Sequence, residues 1–328
     1  MSASGGTKAV VAALLANTGI AITKFAAWIL TQSASMLAEA IHSVADAGNQ
    51  ALLLVGGKRA QREATEEHPF GYGRERYVYA FIVAIVLFSV GGLFALYEAY
   101  HKFHELAEGH GEGGLLESRW KYVPLIVLGL AIVMESFSFR TAIIESNKVR
   151  GDHSWWRFIR RAKAPELPVI LLEDLAALLG LAVAFTGVGL ALLTHNLYFD
   201  VAGSAVIGAL LVAVAVILGV EVKSQLLGEA AAPEAVTAIR AAISSTDGID
   251  GVIHLKTMHI APEELLVAAK VAVPATATAT AIADSIDAAE RALRAAEPMA
   301  TQVFIEPDLR REDYVPDERP EIPGAPAH

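Results

Sequence analysis

Glu39, His42 and Asp46 fall in the run LAEAIHSVADAGNQ, residues 37–50, at spacings i, i+3 and i+7 that put all three on one stripe of a helix. His42 and Asp46 are one turn apart, so both can point at one cation, the imidazole offering nitrogen to a borderline ion such as Zn²⁺ and the carboxylate offering oxygen. The run LLEDLAALLG, residues 171–180, supplies two further acids, Glu173 and Asp174. A tetrahedral site wants about four donors; these sequences offer His42, Asp46 and Asp174, with Glu173 or a water as the fourth. The chain has no cysteine, so any metal must be held by nitrogen and oxygen. The competing reading is that the polar groups hydrogen-bond neighbouring helices and only specify packing.

The segments carrying these residues are otherwise apolar. The chain has 328 residues, 54% of them hydrophobic, and a mean hydropathy of +0.45, which points to a multi-span membrane protein. Six stretches have the roughly 20 residues needed to cross about 30 Å of hydrocarbon as helix. They are residues 9–31, 34–57, 77–100, 122–144, 168–192 and 199–221. No basic n-region and cleavage pattern precedes the first of them, which is read as a span and not a signal. Ionisable groups inside such spans are costly and mark a functional path. Depth tests whether two spans can share an ion. Counted at 1.5 Å per residue, Asp46 lies about 16 Å from the end of span two, and Asp174 about 9 Å from a span-five start at Pro168, or about 15 Å from one at Ala164. The uncertain start covers the gap. Lys24, Glu98 and Glu135 lack a paired ligand one turn away and read as structural ion pairs or interfacial charges, while Asn17, Asn49 and Gln50 read as interhelical glue.

Basic residues cluster after span two (Lys58, Arg59, Arg62, Arg74, Arg76) and after span four (Lys148, Arg150, Arg157, Arg160, Arg161, Lys163). That bias predicts both termini on the cytoplasmic side of the cell's inner, or plasma, membrane. From Val222 onward hydropathy falls, and the order helix 233–245, strands 252–260 and 264–273, helix 277–296 and strand 301–306 predicts a ferredoxin-like α+β (αββαβ) unit. The expected division is therefore a transmembrane domain 1–221, a soluble domain 222–308 and a proline- and charge-rich disordered tail 309–328. From Val222 on there are nine Lys/Arg and seventeen Asp/Glu, a net −8 out of −10 for the whole chain. This acidic balance excludes nucleic acid as a natural partner. No His-Glu-x-x-His or Gly-x-Ser-x-Gly occurs, so nothing marks an enzyme. His101, His104 and His110 in the outer loop read as solvated, with a weak metal-collecting patch as the alternative.

Four stretches together resemble the cation diffusion facilitator family of divalent metal transporters: SASMLAEAIHSVADAGNQ on span two, EHPFGYGRERY at 67–77, PVILLEDLAALLGL at 168–181, and GVIHLKTMHIAPEELLVAAKV with VFIEPD near the end. The resemblance runs from about Lys8 to Asp308. It implies a homodimer with a cytoplasmic dimerisation domain and no resident cofactor, exchanging a divalent cation for protons through an intramembrane site. Zn²⁺ is the expected ion, with Mn²⁺, Fe²⁺, Co²⁺, Cd²⁺ and Ni²⁺ as alternatives. By position, His42 and Asp46 match the family's pair on span two, and Asp174 matches the second acid on span five. The residue four before it is Ile170 where the family has a histidine or acid. Glu173 is the candidate replacement, and its Glu-Asp pair resembles a subgroup of the family. In the loop, His68 matches one of two family histidines and Tyr72 stands at the other, leaving a weak His68 metal site or a structural turn. Phe304 and Glu306 take the positions of the family's cytoplasmic His and Asp, so dimerisation is expected without a strong zinc cluster there. The rival to transport is a membrane scaffold or metal-responsive regulator that has lost the cycle.

Overall fold

The computed structural model describes residues 3–31, 34–108 and 120–310. It divides into two units, Met1–Leu227 and Gly228–His328. The first is helical. Its helices are α1 (Ala3–Thr31), α2 (Ala34–Arg59), α3 (Glu75–Val86), a π-helical segment Leu87–Leu93, α4 (Phe94–Ala107), α5 (Val123–Arg150), a short α6 (Trp155–Arg161), α7 (Glu166–Thr194) and α8 (Tyr198–Leu227). Among the described residues, five stretches are long and apolar enough to cross a membrane: Thr7–Ala27, Glu75–Ala107, Val123–Arg150, Glu166–Thr194 and Tyr198–Leu227. Helix α2 has the length at 26 residues, but Glu39, His42, Asp46, Asn49 and Gln50 lower its hydropathy. Several helices run past the predicted spans. Nothing in HKFHELA or ESNKVR breaks a helix, so α4 continues to Ala107 and α5 to Arg150, where Gly151 takes a positive φ of 57°. His101 and His104 thus stand on α4 against Tyr97 and Tyr100, and His110 lies outside the described residues.

Each long helix sorts its residues by face. On α5, Leu128, Ala131, Glu135, Ser138 and Ala142 are buried at i+3 and i+4 steps, whereas Ile126, Leu130, Val133 and Phe137 are exposed. An apolar exposed stripe opposite a mixed interior stripe is what a helix facing lipid on one side requires. Small residues set the closest approaches. A Cβ on Gly208 of α8 would lie 2.7 Å from Leu96 Cγ and 2.9 Å from the Leu96 backbone nitrogen, and one on Gly92 would lie 2.6 Å from Val212 Cγ2. Gly208→Val should therefore overpack this antiparallel crossing and cost about 1–3 kcal/mol. Thermal unfolding of the purified protein in detergent checks this, and an unchanged midpoint would count against so tight a contact.

The second unit contains α9 (Pro233–Ser244), β1 (Gly251–Ala261), β2 (Glu264–Ala272), α10 (Ala279–Ala296) and β3 (Ala300–Asp308). The sheet order is β1-β2-β3, with β1 and β2 antiparallel and β2 and β3 parallel. Alternate residues of β2, Leu265, Val267, Ala269 and Val271, are buried against Ile239 and Ile243 of α9 and Ala289 and Leu293 of α10. Helix α10 starts two residues later than its periodicity predicts because Thr278 caps it, accepting from the Ala281 N–H at 3.2 Å. The tail from residue 311 lies outside the described residues.

Candidate functional site

Helices α1, α2, α5 and α7 bring their polar residues to one level inside the first unit. Asp174 is fully buried, with Glu135 at 1%, Lys24 at 3% and Glu173 at 4% exposure. Helix α7 starts at Glu166, between the two starts weighed above, which places Asp174 about 12 Å along it. Asp46 is half-buried and lies within electrostatic reach of Glu135, Glu173 and Asp174. Two spans read separately in the sequence thus converge. His42 lies on α2 one turn before Asp46, but its side chain, like that of Glu39, is outside the described residues.

The hydrogen bonds divide these acids into two kinds. Glu173 is engaged at both oxygens: Asn49 Nδ2 donates to Oε1 and Gln50 Nε2 to Oε2, each at 2.8 Å. Gln50 Oε1 in turn accepts from Asn17 Nδ2 at 3.2 Å, so one amide–carboxylate chain ties α1, α2 and α7 together. A buried charge needs such donors. Asp174 accepts from Ser138 Oγ at 2.8 Å through Oδ2. Among the described residues no donor reaches Asp174 Oδ1 or Glu135 Oε1, although the two carboxyls lie within hydrogen-bonding reach of each other. Lys24 Nζ donates to Ser43 Oγ at 2.9 Å and lies within electrostatic reach of Glu135.

Two cavities meet here. One, of about 50 Å³, is lined by Asn17, Lys24, Ser43, Asp46 and Glu135 together with apolar residues of α1, α7 and α8, large enough for water and with polar groups to hold it. The other, of about 110 Å³, is lined by Lys24, Gly91, Glu98, Lys102 and Asp200 among others. Lys24, Ala184, Ile207 and Leu211 border both. At the second cavity Lys102 pairs with Glu98 at 3.2 Å and Asp200 at 4.0 Å. The π-helical segment supplies part of that wall, as such irregularities do at functional places. No three described His, Asp or Glu side chains are placed to enclose an ion as they stand.

Of the residues singled out in the sequence, Asp46, Glu173 and Asp174 lie within electrostatic reach of one another, and His68 does not join them. His68 is exposed, stacks on Tyr72 at 4.6 Å between ring centres, and exchanges backbone hydrogen bonds with Thr65. Its carbonyl accepts from Gly71 N–H at 2.9 Å, and Gly71 has the positive φ of 77° that such a turn asks of a glycine. Sequence reasoning gave Glu135 no part in the site. The readable signal was its place on the α5 interior stripe with Ser138, opposite Ile126, Leu130, Val133 and Phe137. In the second unit Glu306 is bound by Lys270 at 3.0 Å, which also pairs with Asp308 at 3.2 Å. These two carboxylates hold the Lys270 ammonium above the usual lysine range. Phe304 is exposed.

A multi-pass helical membrane domain with buried intramembrane acids, followed by a small three-stranded domain, defines a class of two-part integral membrane protein. Residues 10–227 match the cation efflux transmembrane domain and residues 231–309 the cation efflux protein cytoplasmic domain. The chain belongs to the cation efflux, or cation diffusion facilitator, family. It is 31% identical over 264 residues to the human protein named proton-coupled zinc antiporter SLC30A9, mitochondrial, covering 78% of this chain and 44% of that protein. It is 27% identical over 264 residues to metal tolerance protein C4 of Arabidopsis thaliana, covering 78% of this chain and 54% of that one. A shorter match, 33% over 78 residues, covers 24% of this chain and 16% of mitochondrial metal transporter 2 of Saccharomyces cerevisiae. The chain spans about half the length of the first two.

Proposed function

We propose that this protein exchanges a divalent metal cation, Zn²⁺ first, for protons across its membrane. The observation that carries the reading is that Asp46 and Asp174, from helices far apart in sequence, lie within electrostatic reach of each other inside the helix bundle, with Asp46 bordering a cavity. Carboxylates kept at such depth are costly unless they serve a cation or a proton. In this reading His42, Asp46 and Asp174 bind the ion and α2 is the sixth span. Metal ligands must shed their protons to bind, so one site with two exclusive occupants couples the two flows. The second unit, read as ferredoxin-like and cytoplasmic, joins two copies of the chain. Both termini lie on the side of the basic loops, with the cell's inner membrane as the location. The names of the relatives support zinc and proton coupling; the mitochondrial location they print belongs to those proteins.

The test is metal uptake by proteoliposomes carrying the full-length chain, with a pH gradient imposed and Zn²⁺, Mn²⁺, Fe²⁺, Co²⁺, Cd²⁺ and Ni²⁺ offered in turn. Gradient-dependent flux, greatest for Zn²⁺, is expected. Binding of metal by the purified protein with no flux of any ion would favour the scaffold or regulator instead.

A further inference from the structure

Metal transport through this bundle needs a donor that helix α7 does not supply. Ile170, one turn before Asp174, is apolar and fully buried. Glu173 is the next carboxylate along, but both of its oxygens are taken by the amides of Asn49 and Gln50. Drawing it onto an ion would strip two buried amide donors of their acceptor, and each stranded donor costs free energy. Its geometry is that of a clamp between α2 and α7.

Glu135 is in the opposite position. It is 1% exposed, its Oε1 has no donor among the described residues, and it lines the same cavity as Asp46. Asp174 Oδ1 shares that condition. The two carboxyl groups lie within hydrogen-bonding reach of each other, and out of water they repel unless a shared proton or a metal cation lies between them. Ser138, three residues after Glu135 on the same face of α5, fixes the other Asp174 oxygen, so α5 both orients one ligand and presents a second. Lys24 is a cation nearby, but its ammonium is directed to Ser43 Oγ.

Resting on the transport reading above, we propose that Glu135 of α5 is the fourth metal ligand, completing a set with His42, Asp46 and Asp174, while Glu173 is a positioning residue. The set draws on three helices instead of two. Its three carboxylates make it harder than a site with a histidine on both spans, and so more tolerant of Mn²⁺.

The experiment uses the purified full-length protein, with Zn²⁺ affinity by calorimetry and the visible absorption of bound Co²⁺ as readouts. Glu135→Gln keeps the shape of the side chain and removes the anionic donor. It should weaken Zn²⁺ by about 100-fold or more, at or beyond the upper end of what outer-shell changes cost, and should alter the Co²⁺ spectrum. Glu135→Asp keeps the charge but retracts it, and should fall between; it carries the test if the glutamine variant does not fold. Glu173→Gln should leave the Co²⁺ spectrum of the folded protein unchanged. Wild-type Zn²⁺ affinity and Co²⁺ spectrum in Glu135→Gln, with binding lost in Asp46→Ala, would overturn the role of Glu135 and leave the transport reading standing. Full binding in Asp46→Ala as well would remove the intramembrane site and both ideas with it.

Discussion

Asp46→Ala is expected to abolish metal flux while leaving the folded protein about as stable as the wild type. Asp46 borders the cavity with Lys24, Ser43 and Glu135 and shares an electrostatic neighbourhood with three other carboxyl groups. The other carboxyl groups oppose it and the buried Lys24 beside them attracts it, so deleting it leaves the balance of the folded state little changed. The same deletion takes a donor from the ion. Loss of a direct ligand should lower flux by more than the roughly 10–100-fold that outer-shell substitutions cost. A large loss of activity with little change in stability separates a functional carboxylate from a packing one. Initial rates in proteoliposomes, set beside thermal unfolding of the same preparation in metal-free detergent, give both quantities. Flux at wild-type rates would refute the assignment of Asp46, and lost flux with a large loss of stability would make it a packing residue.

The second large effect is on stability. Arg76 of α3 meets Glu166 in the first turn of α7 through both arms of its guanidinium, Nε toward Oε1 and Nη2 toward Oε2 at 2.8 Å. Both side chains are largely buried, at 14% and 9% exposure. Arg76→Ala leaves the Glu166 carboxylate enclosed without its bidentate partner, and breaking such a pair costs about 3–5 kcal/mol. Replacing both partners, as Arg76→Leu with Glu166→Leu, should cost far less because no charge is stranded. The pair also ties α3 to the first turn of α7, eight residues before Asp174, so the single variant should weaken metal binding indirectly. Unfolding measurements on the three proteins decide it. A loss below about 1 kcal/mol in Arg76→Ala would class the pair with exposed ion pairs, which contribute little.

Much of this architecture could be read in the chain because membrane helices are written in long apolar runs and the small domain in clean periodicity. The predicted strands at 252–260 and 264–273 appear as Gly251–Ala261 and Glu264–Ala272, and the helix at 277–296 as Ala279–Ala296. Residue type alone also marked Asp46, Glu173 and Asp174, since acids are conspicuous among leucines and alanines. Helix length past the hydropathy edge was not legible, because Lys, His and Glu are as good in a helix beyond the membrane as in loops.

By itself the sequence determined that the protein crosses a membrane, that two of its apolar segments hold acids at compatible depths, and that no thiolate could take part. Those are properties of composition and spacing, and they need no partner. Only the tertiary structure decided which acids are already satisfied and which are not. Glu173 and Asp174 are adjacent in sequence, yet one faces the amides of Asn49 and Gln50 and the other faces Ser138 and Glu135. Successive residues on a helix point about 100° apart, so their partners come from different helices, and no local pattern states which helix will stand there.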